Sequence, residues 1–272
     1  MQDALMRIGR ALRATAAGCL VALGAASCGS DSPNPGPSPG ATVPTPVVVK
    51  RLLVVTHTTG FRHTSIPIAE STLQDIGRRS GLYQTEFCRT QDDVTRLLTA
   101  AELTHYDAVF FANTSGNLGI PDLHAFVAWV SAGHAFLGAH SASDTYHDGP
   151  EYLDMLGGEV ATHGSIAEGN IFVDDPSDPS VAHLAPRFTI VDELYRITRI
   201  SRSNVHMLLS IDRNPADGVG TAGAPVDLPI SWRKSVGTGR VFYTALGHRE
   251  EVWQDGRFQQ HLLGALRWAL GG

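Results

Sequence analysis

The chain has 272 residues, is 43% hydrophobic and 18% charged, and carries a formal net charge of −6. That composition suits one soluble globular domain with appendages, and the acidic balance removes any electrostatic basis for binding nucleic acid. Of the three cysteines, Cys19, Cys28 and Cys88, only Cys88 falls inside the expected domain, which excludes an internal disulfide or a cysteine-built site there.

Residues 1–27 read as an export signal. Arg7, Arg10 and Arg13 form a basic start, and an apolar run from Ala14 to Ala26 follows. The run is shorter than the roughly 20 residues of a membrane-spanning helix. It ends in Ala25-Ala26-Ser27-Cys28-Gly29, which resembles a bacterial lipobox and makes Cys28 the expected lipidation site. Ordinary cleavage near Ala26, leaving Cys28 as a free thiol, is the alternative. Residues 28–49 are rich in Pro, Gly and Ser, cannot bury a core, and read as a tether. Loss of residues 1–27 removes three Arg and one Asp, leaving 18 basic against 26 acidic side chains. The expected location is the cell envelope, with membrane contact only through the N-terminal lipid.

The domain is expected to span 50–272. Leu52-Leu53-Val54-Val55 is a short apolar run of the buried, parallel type. A polar loop, Thr56 to Ser65, leads into a helix carrying Ile68, Leu73 and Ile76 and ending at Gly81, with Thr64 or Ser65 as its cap. Tyr83–Cys88 reads as a second strand, Asp92–Ala101 as a helix, and Tyr106–Phe111 as a third strand ending in the polar loop Ala112–Asn117. Pro121 opens a helix with Leu123, Phe126, Val127 and Val130 on one face. After Gly133 comes a strand through Phe136 and Leu137 that turns sharply into Gly138-Ala139-His140-Ser141-Ala142-Ser143-Asp144. Alternating strands and helices predict a mostly parallel sheet with helices on both faces. The second half is less regular. A short helix at Tyr152–Leu156 precedes strands at 169–173, 188–192, 195–200 and 206–211, with antiparallel pairing expected. Strands at Pro229–Arg233 and Arg240–Ala245 and a closing helix at Phe258–Leu270 complete the chain.

Ligands of open α/β sheets bind outside the carboxyl ends of the strands. His140 and His248 each follow a predicted buried strand, and His63 and His163 lie beside turns. Imidazole works as a general base near neutral pH or ligates zinc. Phe61, Tyr152, Trp232 and Trp253 have rings that stack on a sugar or fill the core. Arg62 and Glu193 are charges near turns. The chain carries no Gly-x-Ser-x-Gly, no Gly-x-x-x-x-Gly-Lys-Ser/Thr and no Gly-x-Gly-x-x-Gly, so acyl-enzyme and phosphate-cradling chemistry have no support. It also lacks a His-Glu-x-x-His pair.

Several stretches taken together resemble the ThuA-like (trehalose-utilisation) family. They are Thr56–His63, Gly138–Asp144, Tyr152–Gly158 with His163, Asp192–Tyr195, Pro229–Trp232, Gly239–His248 and Trp253. The resemblance spans residues 50–272. It implies a flavodoxin-like, class I glutamine amidotransferase-like three-layer sandwich with added antiparallel strands in the second half. In the amidotransferases the strand-to-helix elbow carries a cysteine nucleophile. Here that position looks like His140, so glutaminase activity is not expected. The family is associated with sugar utilisation, often beside oxidoreductases that make keto-sugars, which implies a small carbohydrate as the partner. The expected step is proton transfer on a glycoside or keto-sugar, with His140 and His248 as acid and base and Asp144 orienting an imidazole. Phe61, Arg62, His63, Tyr152, His163, Glu193, Trp232 and Trp253 are expected to bind substrate. A tethered, non-catalytic sugar-binding module is the alternative. No cofactor is expected. A divalent metal such as zinc, on His140, Asp144, His163 and His248, is the less favoured option.

Overall fold

Continuous apolar runs form the centre of the sheet because both of its faces are covered. In β1 (Lys50–Val55) the last four residues are fully buried, as is every residue of β3 (Ala108–Ala112) and β4 (Ala135–Ala139). With β2 (Tyr83–Cys88) and β11 (Gly239–Thr244) they make five parallel strands in the order β2-β1-β3-β4-β11. Four antiparallel strands extend the sheet beyond β11: β10 (Leu228–Val236), β9 (His206–Ile211), β6 (Ala167–Val173) and β7 (Arg187–Asp192). A separate antiparallel ribbon pairs β5 (Glu159–His163) with β8 (Tyr195–Thr198). These features belong to a computed structural model that describes residues 49–213 and 228–271. The expected export signal, Cys28 and the tether up to residue 48 lie outside the described residues.

The chain steps from β1 to β2 in one direction and from β3 to β4 in the other. Right-handed crossovers then place α1 (Ile66–Ser80) and α4 (Leu123–Ser131) on opposite faces. α6 (Glu250–Gln254) and α7 (Gly256–Leu270) pack with α1, whereas α3 (Ala100–Leu103) and α5 (Pro150–Leu156) pack with α4. Helix faces match the apolar spacing: α1 buries Ile66, Ala69, Leu73 and Ile76, and α7 buries Phe258, Leu262, Ala265 and Leu266. The result is the three-layer α/β sandwich that the sequence predicts. Among the described residues no helix is long and apolar enough to cross a membrane.

Local departures have local causes. The helix expected over Asp92–Ala101 is two helices, α2 (Gln91–Leu97) and α3, because Thr90 and Thr99 each cap a separate N-terminus. Thr90 forms a full capping box with Asp93, and Thr90→Ala is expected to cost about 1 kcal/mol in a urea titration. The strand expected to reach residue 200 stops at Thr198, since Arg199 adopts φ 55°. Ser65 occupies the N-cap position of α1 but makes no cap hydrogen bond. Its hydroxyl is spent on the site instead.

Candidate functional site

Chain segments leaving the carboxyl ends of β1, β3, β4, β7 and β11 meet at one place. They bring His63, His140, Glu193 and His248 there, with Ser115 donating to the adjacent Asp144. His140 begins a single 3-10 turn, His140–Asp144, directly after β4. Its φ is 49°, a left-handed conformation that non-glycine residues adopt at a cost. Surrounding hydroxyls hold the elbow in place. Tyr243 donates to the His140 carbonyl at 2.7 Å, and Tyr152 donates to the Ala142 carbonyl at 2.8 Å.

The loop carrying His248 is clamped on every side. The buried Asp192 carboxylate accepts from the N–H groups of Gly247 at 2.7 Å and Arg249 at 3.1 Å. Asn113 and Trp253 both donate to the Gly247 carbonyl at 2.8 Å, and Ser65 donates to the His248 carbonyl at 2.8 Å. Gly247 has φ 123°, and a Cβ there would press on the Trp253 ring, so only glycine suits the turn.

Within this frame three imidazoles meet one carboxylate. The rings of His63, His140 and His248 stand 4.8–5.1 Å apart, each edge-on to the others. His140 Nδ1–H donates to the Ala245 carbonyl at 3.0 Å, which turns Nε2 toward the cluster, where it offers a lone pair whenever the ring carries a single proton. Around Nε2 lie the Tyr195 hydroxyl at 2.9 Å, His248 Nδ1 at 3.2 Å and Glu193 Oε2 at 3.5 Å. His248 Nδ1 is also 3.2 Å from Glu193 Oε2, and His163 Nδ1 is 2.9 Å from Glu193 Oε1. Side-chain exposure rises outward: 0% for His140, 12% for Glu193, 22% for His248 and 51% for His163.

Charge follows from this packing. Burial, reinforced by His140 and His248, pushes His63 down to about 3, so it is neutral in the fold. Burial alone would raise the Glu193 carboxyl. Hydrogen bonds from His140 and His248 and their charge outweigh it, and the group stays well below the ordinary carboxylate range. The hydrogen bond to Glu193 raises His248 above the usual histidine value. Tyr195 is raised by burial and remains a phenol.

His63, Glu193 and His248 form the inner wall of a cavity of about 220 Å³, with His140 buried behind them. Phe61, Asp144, Val160, His163 and Tyr195 complete the lining, and Phe61 is 65% exposed at the mouth. Of the residues expected to bind substrate, Phe61, His63, His163 and Glu193 reach this cavity. Tyr152, Trp232 and Trp253 do not. All three are fully buried, and their polar atoms donate to the carbonyls of Ala142, Leu156 and Gly247. Arg62 is exposed and turns to the Thr56 carbonyl. Asp144 lines the cavity but pairs with His147 at 2.7 Å, not with His140 or His248. His147 in turn contacts Glu159 at 2.6 Å, and these two bonds raise its pKa. The metal-competent group is also not the one expected. It comprises His63, His140, Glu193 and His248, with one donor atom from each within 4.8 Å of the others. His63 and Glu193 replace Asp144 and His163, because Asp144 is engaged by Ser115 and His147 and His163 lies outside Glu193. Tyr195 was not among the residues expected in the site, although it closes Asp192–Tyr195, one of the stretches that carry the family resemblance. Cys88, the only cysteine among the described residues, is buried at the end of β2, and burial pushes its thiol up to about 12.

Comparison with solved structures supports the same architecture. A ThuA-like protein from Bacteroides uniformis aligns with a TM-score of 0.67 at 21% identity, over 85% of this chain and 95% of that one. A ThuA-like protein from Parabacteroides merdae aligns with a TM-score of 0.65 at 18% identity, over 82% and 90%. A β-galactosidase from Bacillus circulans sp. alkalophilus shares the fold over 82% of this chain and 31% of its own length, with a TM-score of 0.53 at 14% identity. No curated protein matches. The family model described as ThuA, trehalose utilisation, matches residues 51–269, nearly the whole folded region, and the chain belongs to the ThuA family.

Proposed function

We propose that this domain is a carbohydrate-active enzyme that takes a glycoside or its oxidised keto derivative and moves a proton next to a carbonyl. The observation that carries the reading is Glu193, one carboxylate on the cavity wall shared by His140, His163 and His248. A carboxylate held ionised is a poor base. Its use is to orient and charge the imidazoles beside it, of which His248 and His163 face the cavity. Buried His140 sets the geometry from behind. The cavity, about 220 Å³, is below the roughly 300–1,000 Å³ of pockets that enclose drug-sized ligands. One sugar ring fits such a space, with Phe61 stacking on the portion that extends outside. The family's trehalose-utilisation description supports a sugar as the ligand class. The N-terminal sequence supports export and a lipid anchor at Cys28.

The test is a thermal-shift and turnover screen of the full chain against disaccharides and their 3-keto derivatives. A ligand that binds only the native state raises the midpoint by mass action. A keto-sugar is expected to raise it and to be converted. Phe61→Ala should weaken binding about three- to tenfold through lost stacking. Binding without any product on long incubation would replace the enzyme by a sugar-binding module. No shift with any sugar would end the carbohydrate reading.

A further inference from the structure

We infer that His63, His140, Glu193 and His248 form a binding site for a divalent transition cation of the zinc class. A cation about 2.0–2.1 Å from nitrogen and about 2.0–2.2 Å from carboxylate oxygen, in tetrahedral geometry, separates its ligands by roughly 3.3–3.5 Å. The donor atoms His140 Nε2, His248 Nδ1 and Glu193 Oε2 form a triangle with edges of 3.2, 3.2 and 3.5 Å. Charge-assisted hydrogen bonds run shorter, about 2.7–2.9 Å. The neighbouring pairs obey that rule, at 2.9 Å for His163–Glu193 and 2.7 Å for His147–Asp144. The triangle does not, although its groups are more buried than those of the exposed His147–Asp144 pair.

The surroundings fit the same purpose. Metal-ligating histidines commonly donate their other ring N–H to a carbonyl, which fixes the tautomer. His140 does so to Ala245. His63 supplies a fourth donor within 4.8 Å of the rest and is itself buried. Two or three imidazoles with one carboxylate are the ligand types that suit zinc and its neighbours, and hard calcium or magnesium sites use oxygen instead. The Tyr195 hydroxyl, 2.9 Å from His140 Nε2, competes for that lone pair. A cation takes the lone pair and frees the hydroxyl for a water or a substrate oxygen. Such a cation polarises a carbonyl or acidifies a bound water, chemistry that suits the keto-sugar reading without depending on it. His248 is then a ligand, and the proton-handling imidazole on the cavity wall is His163. The second His/Asp group among the described residues, Asp175, Asp178 and His206, is a natural control. Its buried Asp178 is already paired with Arg233 at 2.6 Å.

The experiment loads the full chain with zinc, removes excess by gel filtration and measures bound metal, then repeats with cobalt(II) and records its visible spectrum. About one zinc per chain and the absorption of four-coordinate cobalt are expected. His63→Ala and Glu193→Gln, each checked for native circular dichroism, should weaken zinc at least about tenfold, a loss typical even of outer-shell partners. His206→Ala should leave it unchanged. Zinc content well below one per chain after loading overturns the inference, as does retention of full zinc affinity by both folded variants. No sugar enters this measurement, so failure of the carbohydrate reading and failure of the metal site are separately visible.

Discussion

Glu193→Gln is expected to lower turnover on a responsive keto-sugar by about a hundredfold or more while the domain stays folded. Glutamine keeps the shape of the side chain, so the cavity wall persists, but its single carbonyl oxygen accepts from only one of His163 and His248 while its amide NH2 faces the other. What it removes is the negative charge that the imidazoles share. Positioned acid–base catalysis contributes roughly 10²–10⁴-fold, and here one anion supports every candidate imidazole at once. If the cation site is filled, the same substitution removes an anionic ligand. Both routes lower kcat more than they raise KM, because the lost interaction acts on the reacting atoms and not on the rest of the sugar. The measurement is steady-state kinetics beside circular dichroism. A folded Glu193→Gln enzyme with wild-type kcat would remove Glu193 from the chemistry and with it the core of the proposed site.

Acid sensitivity gives the second large effect, and it arises away from the cavity. His261 on α7 is almost wholly buried between Phe242 and Phe258. Its Nδ1 donates to the Ser180 carbonyl at 2.9 Å, and its Nε2 lies 3.1 Å from the Ser231 hydroxyl. Burial pushes its pKa from 6.5 down to about 4. Between those values the unfolded chain binds a proton at this residue that the native fold refuses. Stability from this group is therefore complete above the unfolded value and is lost as pH falls. At 1.36 kcal/mol per pH unit the loss reaches about 3 kcal/mol by pH 4. His261→Gln keeps a donor and an acceptor but does not titrate. Unfolding free energies of the two proteins, measured in urea from pH 7 to pH 4, should converge toward acid by about that amount. Parallel curves would show that His261 is not held neutral. The carboxylates that titrate in the same range are common to both proteins and cancel in the difference.

The core of the sheet was legible because burial on both faces demands a composition that little else produces. Leu52–Val55, Ala108–Ala112 and Ala135–Ala139 are apolar throughout, and each is followed at once by polar residues. The transition after Ala139 placed His140, and the end of the Arg240–Ala245 strand placed His248, where open α/β sheets do their chemistry. The short elements escaped. The ribbon strand β5, the helix α6 and the 3-10 turn at His140 each have five residues, too few for a period to register. The aromatic residues were the weakest part. A tryptophan beside a turn reads the same whether it faces a sugar or the core, and Trp232 and Trp253 were decided by packing.

By itself, then, the sequence determined the layered α/β fold, its family resemblance and the strand ends where the site would lie. These follow from hydrophobic patterning and short motifs, which are local. Only the tertiary structure decided which side chains share the site. His63 and Glu193 lie 130 residues apart in number, and Glu193 leaves the end of β7, an antiparallel strand at the far edge of the sheet order. No periodicity records that such a strand sends its last carboxylate back over β4 and β11. Nor does the sequence record that Asp192 turns inward to hold the His248 loop while Glu193, its neighbour, faces three imidazoles. Partner choice among buried charges is set by distances of a few ångströms between elements remote in the chain, and those distances exist only once the sheet has formed.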